Sequence, residues 1–386
     1  MKRILWLASW YPNEAEPFSG DFIQRQAKAV SAFQPITVIY VGKSAPGRKK
    51  KKEPDEKTIT GNLQENIVYY STHGFLSKWK SLVTYFKKHH QFITELKRKN
   101  ELPDLVHAHV AMKAGLIALY LKWRYNIPYV VTEHWTGYYR QAKDSLFRKS
   151  FISRYMTRLI LRQATRLIPV SEALGNQINQ YWAHVRFEKI PNVVNTKLFY
   201  PSTAEPVKPF RFIHVSALVH QKNPEGIVRT FVELTKHGFN AELILIGPAT
   251  RGLRNQIANY NLPENKIQCL GEISYAEVGI EFRKSSALVL FSFYENMPCV
   301  ILEALCTGVP VIATRVGGIS EVVREENGIL VTAGNENELL EAMKEMIRSH
   351  LVYDRDKIAS QASSLFSYET IGKKITDMYD TVLKKD

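Results

Sequence analysis

Residues 292–321 read SFYENMPCVILEALCTGVPVIATRVGGISE, and this stretch is the most informative part of the chain. Glu295 and Glu303 are separated by seven residues, with Pro298 between them and Gly308 soon after. Proline suits the first turn of a helix, because its missing N–H costs nothing there. Glycine suits the left-handed residue that ends one. We therefore expect a helix of about ten residues, with Glu295 on the loop that enters it and Glu303 inside it.

The amino end of this predicted helix combines two kinds of ligand-binding group. The N–H groups from about Met297 to Val300 can hold a phosphate. The carboxylates of Glu295 and Glu303 can accept hydrogen bonds from the hydroxyls of a sugar or a ribose. Together they predict a site for a sugar nucleotide. The alternative is a buried helix between two strands in which an arginine neutralises Glu303.

The same stretch resembles the signature of glycosyltransferase family 4, in which E-x7-E is followed by a small residue, G-x-P-V and G-G. The matching residues here are Glu295, Glu303, Ala304, Gly308, Pro310, Val311, Gly317 and Gly318. The resemblance covers nearly the whole chain and is strongest over residues 210–335. It implies an α/β protein of the GT-B fold, with two facing Rossmann-like doubly wound domains and a C-terminal helix that crosses back to the first.

Apolar runs typical of strands alternate with helical patterns along the chain, which indicates parallel α/β sheets. In the first half, strands are predicted at Ile4–Ala8, Ile36–Val41, Ile67–Tyr70, Leu105–Ala108, Tyr129–Glu133 and Arg166–Val170. In the second half they are predicted at Phe210–Val215, Ala241–Gly247, Lys266–Leu270, Ala287–Phe291, Val309–Ala313 and Gly328–Val331. A length of 386 residues favours two domains. We expect an acceptor-binding domain at 1–200, a linker at 201–209, a nucleotide-sugar-binding domain at 210–367 and the closing helix at 368–386.

The segment from His214 to Pro224 resembles the family's V-G-R-L-x3-K-G segment, whose arginine and lysine clamp the donor diphosphate. Lys222 occupies the lysine position, Ser216 the glycine position and Ala217 the arginine position. Because alanine has no guanidinium group, the two parallel hydrogen bonds that an arginine makes to phosphate are missing here. The alternative for Lys222 is an ordinary solvated surface lysine. Gly247 ends a predicted strand where the family places its nucleotide pocket.

Two segments of the first half resemble parts of the family's active site. The loop around Gly20 matches a glycine-containing loop that approaches the donor phosphates, and glycine permits that close approach. His134 follows a predicted strand at the position of a histidine close to the transferred sugar; a histidine without a catalytic role is the alternative. His107 and His109 are expected to line the cleft at a strand end, with a metal-binding pair as the alternative.

The resemblance implies a retaining, metal-independent transfer from a UDP- or GDP-linked sugar, with no other cofactor. The residues expected to take part in catalysis are Glu295, His134 and Lys222. The residues expected to bind the donor are Glu303, Asn296, Met297, Pro298, Cys299, Val300, Gly20, Gly247 and Ser216.

The charge of the chain is concentrated in its first half. Residues 1–200 hold 32 Lys and Arg against 14 Asp and Glu, whereas residues 201–386 hold 20 against 23. Two basic segments of this half also carry apolar stripes at helical spacing: Trp79, Leu82, Val83 and Phe86 in one, and Phe151, Ile152, Tyr155, Met156, Leu159 and Ile160 in the other. A further basic run, 47–53, is predicted to be a loop. Such patterns favour an anionic membrane surface, although core-facing domain helices with solvated cations are the alternative.

The family resemblance implies a hexosyltransferase-type glycosyltransferase, and with the charge pattern we expect it to build a cell-surface glycan on a saccharide or lipid-linked acceptor. The three cysteines are too few and too scattered for a disulfide framework. We expect a cytoplasmic protein that is peripheral at the inner face of the cell membrane. The alternatives are a GT-B sugar-nucleotide epimerase, an inactive relative, and a basic protein that binds membrane or nucleic acid. No nucleic-acid partner is expected, because the sequence lacks a recognisable reader motif.

Overall fold

The computed structural model describes residues 2–44, 55–71, 77–202 and 209–384, which form two compact units. The first unit comprises the described residues up to Val170, Leu174–Pro191, and those from Tyr368 onward. The second unit comprises Ser171–Ala173 and Asn192–Ser367. The division therefore falls before the linker expected at 201–209, of which 203–208 lie outside the described residues.

The first unit is built on a seven-stranded sheet. Its strands are β1 (Ile4–Ala8), β2 (Ile36–Lys43), β3 (Glu56–Thr60), β4 (Leu63–Tyr70), β5 (Leu105–His109), β6 (Tyr129–Glu133) and β7 (Arg166–Pro169). The strand order is β3-β4-β2-β1-β5-β6-β7, and all pairs are parallel except β3 with β4. The sequence predicted the six parallel strands. It missed β3, because EKTIT is mostly exposed and lacks an apolar run.

The second unit is built on a six-stranded sheet that is parallel throughout. Its strands are β8 (Phe210–Val215), β9 (Ala241–Ile246), β10 (Ile267–Gly271), β11 (Ala287–Leu290), β12 (Val311–Thr314) and β13 (Gly328–Val331). The order is β10-β9-β8-β11-β12-β13. All six were predicted, and β9, β11 and β12 are buried at every position, as expected of strands that read as nearly continuous apolar runs.

Helices connect most of the parallel strands, as the crossover between parallel neighbours requires. They are α1 (Asp21–Ser31), α2 (Ser77–Arg98), α3 (Ala114–Tyr125), α4 (Phe151–Gln163), α5 (Glu172–Tyr181), α6 (Pro224–Lys236), α7 (Arg251–Asn259), α8 (Tyr275–Lys284), α9 (Cys299–Cys306), α10 (Glu336–Ser349), α11 (Arg355–Phe366) and α12 (Tyr368–Leu383). None of the helices in the described part of the chain is both long and apolar enough to span a bilayer.

The last helix, α12, belongs to the first unit although it follows the second in sequence. It packs on α1 so closely that a Cβ added at Gly372 would lie 2.4 Å from the carbonyl oxygen of Ala29. The Tyr379 hydroxyl is 2.5 Å from Nδ1 of His107 on β5, and Lys2 forms an ion pair with Asp380. The C-terminal helix therefore completes the first unit, as the GT-B resemblance implied.

Candidate active site

Glu295 lies on a buried loop between β11 and α9 in the second unit. The loop is held at both ends, because the Thr314 hydroxyl donates to the Ser292 carbonyl (2.7 Å) and the Asn192 amide donates to the Met297 carbonyl (2.8 Å). Glu295 and Asn296 are both buried. A carboxylate buried on a fixed loop cannot swing into solvent, so its direction is set before any ligand arrives.

The helix that follows begins one residue later than the sequence suggested. Pro298 is the cap residue of α9, and the Ile301 N–H already bonds the Pro298 carbonyl at 3.2 Å. The amides of Cys299 and Val300 therefore stand at the amino end of the helix, where backbone N–H groups favour an anion. Gly308 follows the last turn with φ +74°, the left-handed conformation predicted for it.

Glu303 lies in the middle of α9 and is buried. The helix packs against α11, and the neighbouring thiol of Cys306 is buried as well. The pKa of the Cys306 thiol is raised to about 12, mainly by burial and to a smaller extent by the Glu303 charge. The sequence therefore placed Glu303 correctly inside the helix, in surroundings that shield its charge from water.

Lys222 forms an ion pair with Glu295, although the two residues are 73 positions apart. The loops that carry them are joined by two further hydrogen bonds, from the Gln221 amide to the Tyr294 carbonyl (2.9 Å) and from the Phe293 N–H to the Gln221 carbonyl (2.8 Å). The Lys222 side chain is only 19% exposed. The structure thus excludes the alternative of a solvated surface lysine.

Gly317 and Gly318 press directly on the Glu295 loop. A Cβ added at Gly317, whose φ is +53°, would lie 1.9 Å from the Glu295 carbonyl oxygen. The Gly318 N–H donates to the Asn296 carbonyl at 2.7 Å. This contact gives the glycine pair of the signature a physical reason, since the backbones approach more closely than any side chain would allow.

Ser216 and Gly247 meet at the carboxyl ends of β8 and β9. The Ser216 N–H donates to the Ile246 carbonyl at 3.0 Å, and a Cβ added at Gly247 would lie 1.9 Å from the Ser216 carbonyl oxygen. Ala217 is exposed beside them, so the structure offers no guanidinium at that position. Arg251 and Arg254, at the start of α7, are exposed cations of the same unit.

His214 stabilises the turn at Ser216 through hydrogen bonds, a role that sequence reasoning missed. Its Nδ1 lies 2.8 Å from the Val289 carbonyl, which can only accept, so Nδ1 carries the proton. Its Nε2 then accepts from the Ser216 hydroxyl (2.7 Å), whose oxygen accepts from the Leu218 N–H (2.9 Å). Burial lowers the pKa of His214 to about 4, so the ring is neutral at pH 7. The only sequence signal for this role was a histidine within an apolar strand.

In the first unit, the structure brings Gly20 and His134 into one neighbourhood. Gly20 caps α1 with φ +67°, and a Cβ there would lie 2.4 Å from the Trp10 carbonyl carbon. Two residues further on, the Phe22 ring packs on His134 with a centroid distance of 4.7 Å. His134 follows β6 and is partly exposed. Its expected place near the transferred sugar stays a prediction.

His107 and His109 do not line a cleft, contrary to the sequence prediction; both are fully buried, and His107 contacts α12. His107 bonds the Tyr379 hydroxyl (2.5 Å) and the Thr132 hydroxyl (2.6 Å), and burial lowers its pKa to about 3. The His109 ring contacts the rings of both His107 and Trp6, each at a centroid distance of 4.2 Å. Among the described residues, no three metal-ligating side chains converge. These histidines are core residues.

Glu133, at the end of β6, is a buried carboxyl of the first unit. Its Oε1 accepts from the Ala111 N–H (2.6 Å) and from the Tyr138 hydroxyl (2.7 Å). Burial nevertheless raises the pKa of Glu133 to about 7. These bonds fix the turn that follows β5, where Val110 adopts the strained φ of +74°.

Comparison with known proteins gives matches along most of the chain. Residues 30–198 match the family model described as Glycosyltransferase Family 4, and residues 197–364 match the model described as Glycosyl transferases group 1. An uncharacterized glycosyltransferase of Methanocaldococcus jannaschii is 30% identical over 281 residues, which cover 72% of this chain and 75% of that protein.

Two further proteins are similar over nearly their full length. The putative teichuronic acid biosynthesis glycosyltransferase TuaC of Bacillus subtilis is 23% identical over 99% of both chains. The solved structure of Anabaena HepE in complex with UDP and glucose has a TM-score of 0.71 and 20% identity, covering 99% of this chain and 100% of that one. The similarity to HepE shows that the GT-B fold is shared.

Gly317→Ala should destabilise the second unit, because the added methyl group meets the Glu295 carbonyl and φ is unfavourable. We expect a loss of more than about 1 kcal/mol in the free energy of unfolding, measured by denaturant titration. Gly252→Ala in α7 is the matched control: the nearest atom to its Cβ is 3.8 Å away, and the melting temperature should stay or rise. Equal effects of the two substitutions would contradict the close contact.

Glu133→Gln should remove a pH dependence of stability. A carboxyl whose pKa rises from 4.5 to about 7 on folding binds its proton more tightly in the folded state. The free energy of unfolding of the native chain therefore falls as the pH rises through this window. Glutamine does not titrate and can still accept from Ala111 and Tyr138. We expect the free energy of unfolding of the native chain, relative to that of the variant, to fall by about 3 kcal/mol between pH 4.5 and 7, measured by urea unfolding. A constant difference would show that Glu133 titrates normally.

Proposed function

We propose that this chain, which belongs to glycosyltransferase family 4, transfers a sugar from a nucleotide-sugar to a saccharide acceptor in the synthesis of a cell-surface glycan. The observation that carries the proposal is the shielded Lys222–Glu295 ion pair beside the amino end of α9. A sugar nucleotide combines a diphosphate, which needs cations and N–H donors, with hydroxyls, which need acceptors. This one place in the second unit offers both.

In the proposed reaction, the acceptor hydroxyl oxygen bonds to the anomeric carbon while the bond from that carbon to the diphosphate breaks. The hydroxyl proton passes to the departing diphosphate, so no separate base is required. Negative charge develops on the leaving group as the bond breaks. The Lys222 ammonium and the N–H groups at the start of α9 then stabilise the transition state more than the bound donor. Retention of configuration and independence from a metal are proposed from the family resemblance.

The two carboxylates take separate parts in this proposal. Glu295, on the loop, accepts hydrogen bonds from hydroxyls of the transferred sugar, while its ion pair with Lys222 holds the ammonium beside the diphosphate. Glu303, within α9, accepts from the ribose hydroxyls. A buried carboxylate that gains a hydroxyl donor loses little hydration in doing so, because it is already desolvated.

Ala217 sets this chain apart from the family pattern and bears on donor affinity. Without an arginine at this position, the diphosphate lacks a pair of parallel N–H donors. Lys222 therefore contributes a larger share of the free energy of diphosphate binding. Because Lys222 is already paired with Glu295, its position is preorganised and little side-chain entropy is lost when the donor binds. We propose that this preorganisation offsets part of the missing charge.

The donor class is supported by HepE, which shares the fold and was solved with UDP and glucose. The product class is supported by TuaC, which is named for teichuronic acid biosynthesis and aligns along the whole chain. We therefore propose a UDP-linked sugar as the first donor to test, with GDP as the comparison.

Lys222→Ala should weaken the binding of UDP at least about tenfold, because it removes one charge-assisted contact to phosphate. Isothermal titration calorimetry with UDP and GDP measures this directly, and hydrolysis or transfer of UDP-sugars to a saccharide acceptor measures turnover. Glu303→Gln should also weaken binding, because a neutral amide accepts less strongly from the ribose hydroxyls.

Lys236→Ala is the matched control for this experiment. Lys236 also pairs with a glutamate of the second unit, Glu233, but both side chains are largely exposed. Its loss should leave nucleotide binding unchanged. Equal effects of the Lys222 and Lys236 substitutions would contradict the site, whereas nucleotide binding without any transfer would contradict the reaction.

We further propose that the first unit acts at an anionic membrane surface, and the first support comes from α2. The apolar stripe predicted on this helix does not face the core: Trp79 is 70% exposed and Val83 is 55% exposed. Tyr85 and Ile93 face the core instead. The flanking Lys80 and Lys87 are exposed too. The basic run 47–53 and the Lys78 side chain lie outside the described residues.

The amino end of α4 shows the same combination. Phe151 and Ile152 are 68% and 72% exposed, while Ile160 and Leu161 near its other end are buried. The stripe predicted on this helix therefore divides into an exposed part and a core part. Basic helices with exposed aromatic and aliphatic side chains bind anionic bilayers, at about 1 kcal/mol per well-placed cation. This supports a lipid-linked or membrane-associated acceptor and a position at the inner face of the cell membrane.

Replacing Trp79, Leu82 and Val83 together by serine should abolish most binding to vesicles that contain phosphatidylglycerol, measured by co-sedimentation. The reason is the loss of the apolar area that inserts between headgroups. The control replaces Leu351 and Val352, which are 86% and 81% exposed in the second unit and lie next to Asp354 rather than lysines. Binding that is equal in both variants would contradict membrane contact through α2.

A further inference from the structure

A basic cavity lies on the first unit, beside the carboxyl end of α4. It consists of two adjoining hollows of about 520 and 380 Å³, which share Arg166, His184, Val185 and Arg186 as lining residues. Arg162, Ala164, Thr165 and Val382 complete the smaller hollow, and Asn179 and Phe187 complete the larger. The walls thus combine three guanidinium groups with a few apolar side chains.

The cavity sits at the amino end of the edge strand β7. Arg166 is the first residue of that strand, Arg162 is in the last turn of α4, and Arg186 precedes Phe187, which bridges to Leu167 beside the strand. Gly20 and His134 lie instead at the carboxyl ends of β1 and β6. Since β6 and β7 are parallel, the strands separate the two places by roughly 13 Å. The cavity is therefore distinct from the candidate active site.

The three arginines of this cavity have no ion pair or side-chain hydrogen bond within the described part of the chain. Among the described residues that line the cavity there is no carboxylate. Arg158, on the same helix as Arg162, differs: it donates to the Trp182 carbonyl at 3.2 Å and lies 5.5 Å from the Trp182 ring. Guanidinium groups that share one hollow repel each other unless an anion lies between them.

We propose that this cavity binds an organic phosphate. Arginine forks match the oxygen geometry of phosphate, and several of them suit a group with more than one negative charge. Val185 and Val382 give the organic part of such a ligand an apolar wall. The ligand is either the headgroup of a phospholipid or a soluble phosphate ester, since the phosphate chemistry is the same in both.

The position of α4 favours the lipid source. Phe151, Tyr155 and Arg162 are spaced by four and seven residues, so they share one face of the helix. The exposed aromatic residues occupy the amino end of that face, and the cavity lies at its carboxyl end. A helix lying in a membrane interface would insert its aromatic end while Arg162 met a headgroup phosphate.

The test uses a variant in which Arg162, Arg166 and Arg186 are all replaced by glutamine. The matched control replaces Lys28, Lys236 and Arg324, which are exposed and lie outside the cavity, so that the same net charge is removed. The soluble arm titrates glycerol 3-phosphate by calorimetry, and the lipid arm measures co-sedimentation with phosphatidylglycerol vesicles. Lys222→Ala is included in the soluble arm, because binding at the donor site would depend on that lysine.

We expect the arginine variant to bind at least about tenfold more weakly in one arm, while the control and Lys222→Ala bind like the native chain. A loss confined to vesicles identifies a lipid headgroup, and a loss confined to glycerol 3-phosphate identifies a soluble ester. The melting temperature of the arginine variant should not fall, because removing unpaired like charges relieves repulsion. Binding that is unchanged in both arms, or lost equally in the control, would overturn the proposal.

Discussion

The position of the Glu295 loop is set by one backbone contact, that of Gly317 and Gly318 with the carbonyl groups of Glu295 and Asn296. Side chains at these glycines would push the loop away, and Glu295 would lose the position in which it meets Lys222. A buried carboxylate without a partner is strongly unfavourable, so the ion pair and the glycine contact need each other. The signature residues are thus parts of one packed arrangement. Because Gly317 and Gly318 have no Cβ atoms, the loop can occupy the position in which Glu295 pairs with Lys222.

Much of this arrangement could be predicted from the sequence, because its parts are local. Continuous apolar runs indicated the parallel strands, and Pro298 and Gly308 bounded α9 to within one residue. The Lys222–Glu295 pair could not be predicted as a contact, since it joins residues 73 positions apart through the strand order of the sheet. The same reason explains the error at His107 and His109: alternation showed that both point the same way, but only the docking of α12 shows that they are buried.

Helical spacing shows that residues share a face, but it does not show which face meets the core. On α2 the conspicuous apolar residues, Trp79 and Val83, are exposed, while Tyr85 packs inside with a pKa that burial raises well above its usual range. The sequence left these alternatives open for a physical reason. A membrane interface and a protein core both select apolar residues at a period of 3.6, and only the neighbouring elements distinguish them.

The arginines of the first unit also fall into two groups, according to the residues that they contact. Some arginines serve the fold: Arg25 pairs with Asp21 on α1, and Arg158 lies against Trp182. Arg162, Arg166 and Arg186 make no such contact within the part of the chain that the structure describes, and they gather at the amino end of β7. A surplus of cations selected only for solubility would be spread over the surface, where repulsion is least. Their collection in one hollow, with no acid among its described lining residues, is what supports the proposed anion.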